Sequence, residues 1–386
     1  VNSKILIQNA QIYTPSEILA DGWLRIEEKR IAAFGTGIPS SSGDDLQVDA
    51  GGARLIPGMI DMHVHGAAGY DVMDGDAEHL TAIARVLAHY GVTSFLGATW
   101  TAGEEQVRSA LDAAYKVYGE KTGGAALLGV YLEGPFLNPN RAGSQNIDKI
   151  QSALSDEMIH RYLDNPLIRV VVLAPEFPEN MRLINECVRR GIVVSAGHTN
   201  AHYEDMLIAV ERGVRQVTHC FNAMPPLNQR QPGVVGAALT MPELRCELIC
   251  DNLHVHPVVQ KILYQARGAD GIILVSDSTQ CAGLPDGEYT LDHRQVSLRN
   301  RSLRLPDGKL AGSVLTLNLA LKNFMQAVNA SLFEALPTVT LTPARALGIA
   351  HFKGAIEVGH DADLTLLDAD MNVVWTIAGG EIVYQA

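Results

Sequence analysis

Cysteine is scarce: five in 386 residues, an odd number and scattered. Cys187, Cys220, Cys246, Cys250 and Cys281 form no C-x-x-C pair, so a disulfide framework is not read from them. They read as reduced, mostly buried thiols of a cytoplasmic protein, with Cys246 and Cys250 in an apolar core segment. Long apolar runs are also missing; none approaches the ~18 residues of a membrane span. Val1 to Ile5 lead straight into a strand-like pattern, with no apolar leader and cleavage signal. Positive charge is in deficit, with 30 Lys and Arg against 43 Asp and Glu, a net charge of −13. That balance argues against a nucleic-acid or anionic-membrane partner and leaves room for a local anion pocket. Gly 35 and Pro 17 make the chain turn-rich without low complexity, which excludes disorder and collagen-like repeats. The length is two to three times the ~150 residues of an average domain, though a single barrel takes ~250.

The two ends are alike. Residues 4–13, 23–34 and 46–49 alternate apolar and polar residues between turn signals and read as antiparallel strands. DADLTLLD, NVVWTIAGG and EIVYQA in the tail repeat the style. The ends are therefore expected to combine into one small β-sandwich domain, 1–56 with 355–386. In the middle, 57–354, short apolar runs alternate with helical segments. The runs are 58–66, 92–100, 127–135, 169–176, 192–199, 216–223, 245–255 and 271–279, eight in all. Gly91, Gly119, Gly191, Gly213 and Gly268 stand where helices should end. Eight β-then-α units with doubly apolar strands predict an α/β fold of the closed (β/α)8 TIM-barrel type. An open doubly wound sheet is the alternative, but no G-x-G-x-x-G follows the first strand. Residues 283–313, with two Pro-Asp-Gly turns, read as a hairpin-rich insertion, and NLALKNFMQAV and TPARALGI as closing helices.

Active sites of such barrels lie at the C-terminal ends of the strands. Strand one ends in His63-Val64-His65, strand three in Glu133, strand five in His198, strand six in His219 and strand eight in Asp277. Residues i and i+2 of a strand share a face, so His63 and His65 can both turn inward. One polar residue in a core is ordinary. Six, each at a strand end, predict a divalent-metal site, for which imidazole and carboxylate suit Zn or Fe. His79, His89 and His160 read as solvated helix positions; His293, His351 and His360 lie in the insertion and tail. His202 reads as a neighbour of the site, and His254, ending strand seven, as a candidate substrate contact.

PGMIDMHVHG, YLEGPFLNP, AGHTNA, THCFNAMPPL, DNLHVHP, SDST and LAGS occur in an order that resembles the amidohydrolase superfamily. Within it they resemble most closely the N-acetylglucosamine-6-phosphate deacetylase family. GAIEVGHDADLTLLD is similar to the superfamily's return into its small β-domain. The resemblance implies a main metal on Glu133, His198 and His219. It also implies a second metal in members that keep the His63/His65 pair, so one or two ions, Zn or Fe before Mn or Co. It makes Asp277 the catalytic acid/base and implies substrate contacts at Ser144, Gln145, Asn222, Ala223, Arg230, Asp251, Asn252, Leu253, His254, Leu310, Ala311 and Gly312. One departure stands out: Gln145 occupies a place where some members carry a histidine that polarises the acetyl carbonyl. Gln can donate a hydrogen bond but carries no charge. Either Gln145 donates from its amide or a second metal polarises instead.

The implied activity is removal of the acetyl group of N-acetyl-D-glucosamine 6-phosphate in amino-sugar catabolism, in a cytoplasmic homodimer. Its epimer N-acetylgalactosamine 6-phosphate is the nearest alternative substrate. A dihydroorotase-like cyclic amidase would need a metal-bridging lysine on strand four instead of the glutamate on strand three. An N-acyl-amino-acid deacylase would bind a carboxylate in place of phosphate. A relative that keeps the barrel without catalysis would lack this ligand set.

Overall fold

The computed structural model describes residues 4–39, 45–151, 155–291 and 294–386; His293 lies outside them. All eight expected barrel strands form. Strands one to eight are Met59–Val64, Val92–Ala98, Ala126–Glu133, Ile168–Leu173, Val193–Ala196, Val214–Val217, Arg245–Leu248 and Ile272–Leu274. Each is parallel to the next. Strands one and two are buried along their whole length, as expected of a sheet covered on both faces. The first and eighth strands meet just beyond strand eight. Val64 bridges Ser278 in parallel, and the Asp277 N–H donates to the His63 carbonyl at 3.0 Å. Candidate site residues thus take part in closing the barrel.

The helices follow from their apolar spacing. Ala77–His89 buries Leu80, Ile83, Ala84, Leu87 and Ala88, one stripe at helical period. The Asp76 side chain caps it by accepting the Glu78 N–H, and the chain turns away at Gly91, where φ is 80°. Two helices were not anticipated. Asp156–Leu163 lies between strands three and four, and Gly233–Thr240 between strands six and seven. The second buries Gly233 to Ala238 without interruption. A helix covered on every side has no polar face to reveal its period.

Strands from both chain ends build one mixed eight-stranded sheet. Ile5, Ile7, Leu24 and Ile26 from one end share a core with Ile356, Leu364 and Leu366 from the other. Two details differ from the sequence reading. The stretch 23–34 is not one strand but parts of two, Ile18–Glu27 and Arg30–Thr36, turning at Glu28 and Lys29 with φ of 48° and 70°. Left-handed backbone at both positions is the geometry of a two-residue hairpin, made here without the usual Asn-Gly signal. The sheet is also not purely antiparallel, because Lys4–Tyr13 pairs in parallel with Asp45–Asp49 and Arg54–Pro57. The chain passes from this sheet to the barrel at Gly58, where a Cβ would come within 2.3 Å of both the hydroxyl and the methyl of Thr93. The insertion forms a three-stranded antiparallel sheet over its own small core of Leu291, Val296, Leu298 and Leu303.

Candidate active site

The polar residues at the strand ends do converge. Glu133 is the last residue of strand three, and His63 and His65 stand at the end of strand one. His198, His219 and Asp277 lie two or three residues beyond strands five, six and eight. There the backbone leaves extended geometry, with φ of 46° at His198, 26° at His219 and 48° at Asp277. Left-handed backbone is unfavourable for residues with a Cβ and tends to be retained at functional sites. Here it swings each side chain off the end of its strand toward the barrel axis. Gly197, just before His198, lets strand five approach its neighbours: a Cβ there would lie 2.7 Å from Thr218 Cβ and 2.8 Å from Val172 Cγ1.

Glu133 is the hub. Its Oε1 lies 3.1 Å from Nε2 of both His198 and His219, which are themselves 3.1 Å apart. Its Oε2 lies 3.1 Å from His65 Nε2 and 3.6 Å from His63 Nε2, with those nitrogens 3.2 Å apart. Among the described residues, two buried triads therefore share one carboxylate, and each is suited to a divalent metal. Asp277 Oδ1 completes the ring at 3.4 Å from both His63 and His65 Nε2. Its side chain is 18% exposed, against 2% for Glu133 and 0% for His63.

The hydrogen-bond partner of His198 fixes where its proton lies. His198 Nδ1 lies 2.8 Å from the Arg141 carbonyl, which can only accept, so Nδ1 carries the hydrogen. In the neutral ring the lone pair is then on Nε2, facing the Glu133 carboxylate and the His219 nitrogen. A lone pair opposed to a carboxylate oxygen at 3.1 Å repels it unless a positive charge lies between. A tetrahedral ion with bonds of ~2.0–2.1 Å spaces its donors ~3.3 Å apart, close to the separations found. The donor set fits a divalent cation.

Electrostatics agrees. Burial opposes charge on His63, yet the Asp277 and Glu133 carboxylates outweigh it and raise its pKa well above the ordinary value. Burial likewise opposes charge on His65 and His219, and neighbouring carboxylates raise both. Burial would raise Glu133, but His63, His198 and His219 hold it well below the usual carboxylate range. Asp277, also opposed by burial, is held at about 2 by His63, His65 and His219. The carboxylates call for positive charge in the centre.

The expected substrate residues are more dispersed. Asp251 organises its own loop: Oδ1 accepts the Leu253 and His254 N–H groups, each at 2.8 Å, and Oδ2 holds His254 Nδ1 at 2.6 Å. Asn252 takes φ of 64° and accepts from Gln260. Arg230 is exposed, with no partner for its guanidinium among the described residues. The Asn222 N–H is already committed to the His219 carbonyl at 3.0 Å, and Ala223 stands at φ of 52°. Ala311 is fully buried between half-buried Leu310 and Gly312, where a Cβ would meet Thr279 at 2.7 Å. Ser144 lines a 280 Å³ cavity with Trp100, Lys149 and Arg294. Gln145 is tied at both ends: its Oε1 accepts the Thr101 N–H at 2.7 Å, and one N–H of its amide donates to Glu133 Oε2 at 2.6 Å. His202 caps a helix next to Gln231 at the surface.

Several site residues carried no sequence signal. Glu247 on strand seven is fully buried and contacts His63. Tyr131 stacks on the His63 ring and Trp100 on the His65 ring. Trp100 also donates to Asp71, which burial pushes up to about 6. Glu176, three residues beyond strand four, ties Asn138, Thr199 and Asn200 together.

A (β/α)8 barrel with a shared carboxylate between two histidine pairs defines a class of metal-dependent hydrolase. The chain belongs to the amidohydrolase family, whose model matches residues 54–383. It is 36% identical to the N-acetylglucosamine-6-phosphate deacetylase of Bacillus subtilis (strain 168), over 98% of this chain and 97% of that protein. It is 33% identical to an N-acetylgalactosamine-6-phosphate deacetylase of Escherichia coli O157:H7, over 96% of this chain and 97% of that one. The crystal structure of N-acetylglucosamine-6-phosphate deacetylase from Pasteurella multocida superposes with a TM-score of 0.93 at 30% identity, covering 99% of this chain and 100% of that one.

The close approach at Gly197 generates a prediction. Gly197→Ala must push Thr218 and Val172 aside and draw His198 away from His219, so metal content of the purified protein should fall by at least about half. Full loading of that variant, measured by elemental analysis, would contradict the geometry.

Proposed function

We propose that the chain hydrolyses the acetamide of N-acetyl-D-glucosamine 6-phosphate to D-glucosamine 6-phosphate and acetate. The observation that carries the reading is the shared Glu133 cluster with Asp277 at its open side, in a chain similar over its whole length to deacetylases of this substrate. Glu133, His198 and His219 would hold one ion and His63, His65 and Glu133 a second, with Zn or Fe before Mn or Co. Ions held there supply Lewis acidity to the acetyl carbonyl and to the attacking water.

Asp277 does the proton transfer. It is ionised, it faces His63 and His65, and it is the most accessible member of the cluster. It takes one proton from water as the oxygen bonds the carbonyl carbon, then delivers it to the amine nitrogen as the C–N bond breaks. Gln145 orients Glu133 through one N–H of its amide. Arg230, with an unpartnered guanidinium, and His254, held by Asp251 through Nδ1, provide the phosphate contacts. All five cysteines are free and buried, which supports a reducing, cytoplasmic setting. A homodimer would cover the exposed Leu253, Val258 and Ile262 beside the His254 loop.

Asp277→Asn should keep metal content and substrate binding while turnover falls by about 10²–10⁴-fold, the usual worth of a positioned acid/base. Near-normal turnover would remove Asp277 from the proton path. Arg230→Ala should raise KM for the phosphorylated sugar by about 10–100-fold, the worth of a charge-assisted hydrogen bond. The KM for unphosphorylated N-acetylglucosamine should change little; equal effects on both would place the phosphate elsewhere.

A further inference from the structure

Each metal triad contains one histidine whose ring is fixed by a hydrogen bond and one that is not. In the first, His198 Nδ1 is tied to the Arg141 carbonyl, while His219 Nδ1 is buried without a partner. In the second, His63 Nδ1 lies 3.1 Å from Glu247 Oε2, while His65 Nδ1 is buried without a partner. His65 is placed by its stacking on Trp100, with centroids 3.7 Å apart and planes 15° apart. Stacking fixes a ring plane but not which nitrogen carries the proton. In the second triad, among the described residues, only the contact of His63 with Glu247 does that.

Glu247 is built for the task. It is fully buried on strand seven. Its Oε1 accepts the Gln216 amide at 2.6 Å, and its Oε2 accepts the His219 N–H at 3.1 Å as well as His63 Nδ1. Three donors hold an acceptor that has no Lys or Arg partner among the described residues. The carboxylate also touches both triads, through the His63 ring and the His219 backbone.

We propose that Glu247 is the positioning residue of the second metal subsite. By keeping the hydrogen of His63 on Nδ1, it turns the Nε2 lone pair toward the space between His63, His65 and Glu133. The proposal rests on the two-metal reading above. It also ranks the triads: loss of Glu247 should weaken the ion on His63 and His65 more than the ion on His198 and His219.

The test is metal stoichiometry and affinity on the purified full chain, with Mn(II) as the probe. The parent should bind two equivalents and show the spin-coupled signal of a manganese pair by electron paramagnetic resonance. Glu247→Met should retain one equivalent, lose the coupled signal, and bind the second ion about 10–100-fold more weakly, the usual cost of removing such an outer partner, with a smaller loss at the first ion, where only the His219 backbone N–H is released. Glu247→Gln should recover most of the second site. The Gln216 Oε1 is buried without a partner, so turning that amide gives the new side chain an acceptor while its own oxygen still serves His63 and His219. If the Met variant does not fold, Glu247→Asp serves instead: it keeps the charge but draws it back from His63, and should show the same selective weakening. Two equivalents at unchanged affinity in the Met or Asp variant would overturn the proposal while leaving two metals in place. A single equivalent in the parent would overturn both together.

Discussion

One carboxylate surrounded by four imidazoles, shut away from water, is the constraint on which the rest depends. Glu133 faces His198 and His219 with one oxygen and His63 and His65 with the other. Hydrogen fixed on the outer nitrogens of His198 and His63 leaves lone pairs directed inward. Such a centre is stable only around positive charge, and the buried rings and carboxylates shift one another's pKa values accordingly. The outer contacts serve that centre. Arg141 and Glu247 set tautomers, Gln145 fixes the glutamate, and Tyr131 and Trp100 fix ring planes.

The barrel bears the cost of this arrangement. Left-handed backbone at His198, His219 and Asp277 costs about 1–3 kcal/mol at each position. It persists because the flanking strands are largely buried and, at Asp277, because the residue takes part in the join between strands one and eight. The Asp277 N–H is held by the His63 carbonyl, so the two site residues are linked through the backbone. Asp277 is the member of the cluster most open to solvent, consistent with a group that must exchange protons while the histidines stay fixed.

Much of this was legible in the sequence. The eight strands showed because each is a short apolar run, five of them following a helix that ends at a glycine, and five end in the polar residues of the cluster. What escaped notice depends on contacts distant in sequence. Gln145 is fixed by Thr101, 44 residues away, and Glu247 by its 184-residue contact with His63. In Arg-Cys-Glu-Leu, Glu247 carries no sign of being buried. The helix Gly233–Thr240 has no polar face, and the turn at Glu28 and Lys29 uses residues that do not announce a hairpin. Local patterns revealed elements and ligands, whereas the partners that orient those ligands emerged only when the barrel brought distant strands together.

The most direct measurement is acetate release by the metal-replete protein from N-acetylglucosamine 6-phosphate and, separately, N-acetylgalactosamine 6-phosphate, with metal counted on the same sample. The account predicts rapid release from the first, with two metals per chain. Release from the second alone would keep the chemistry and change the sugar. No release from either, with metal present, would contradict the assignment of this centre to amino-sugar phosphate deacetylation.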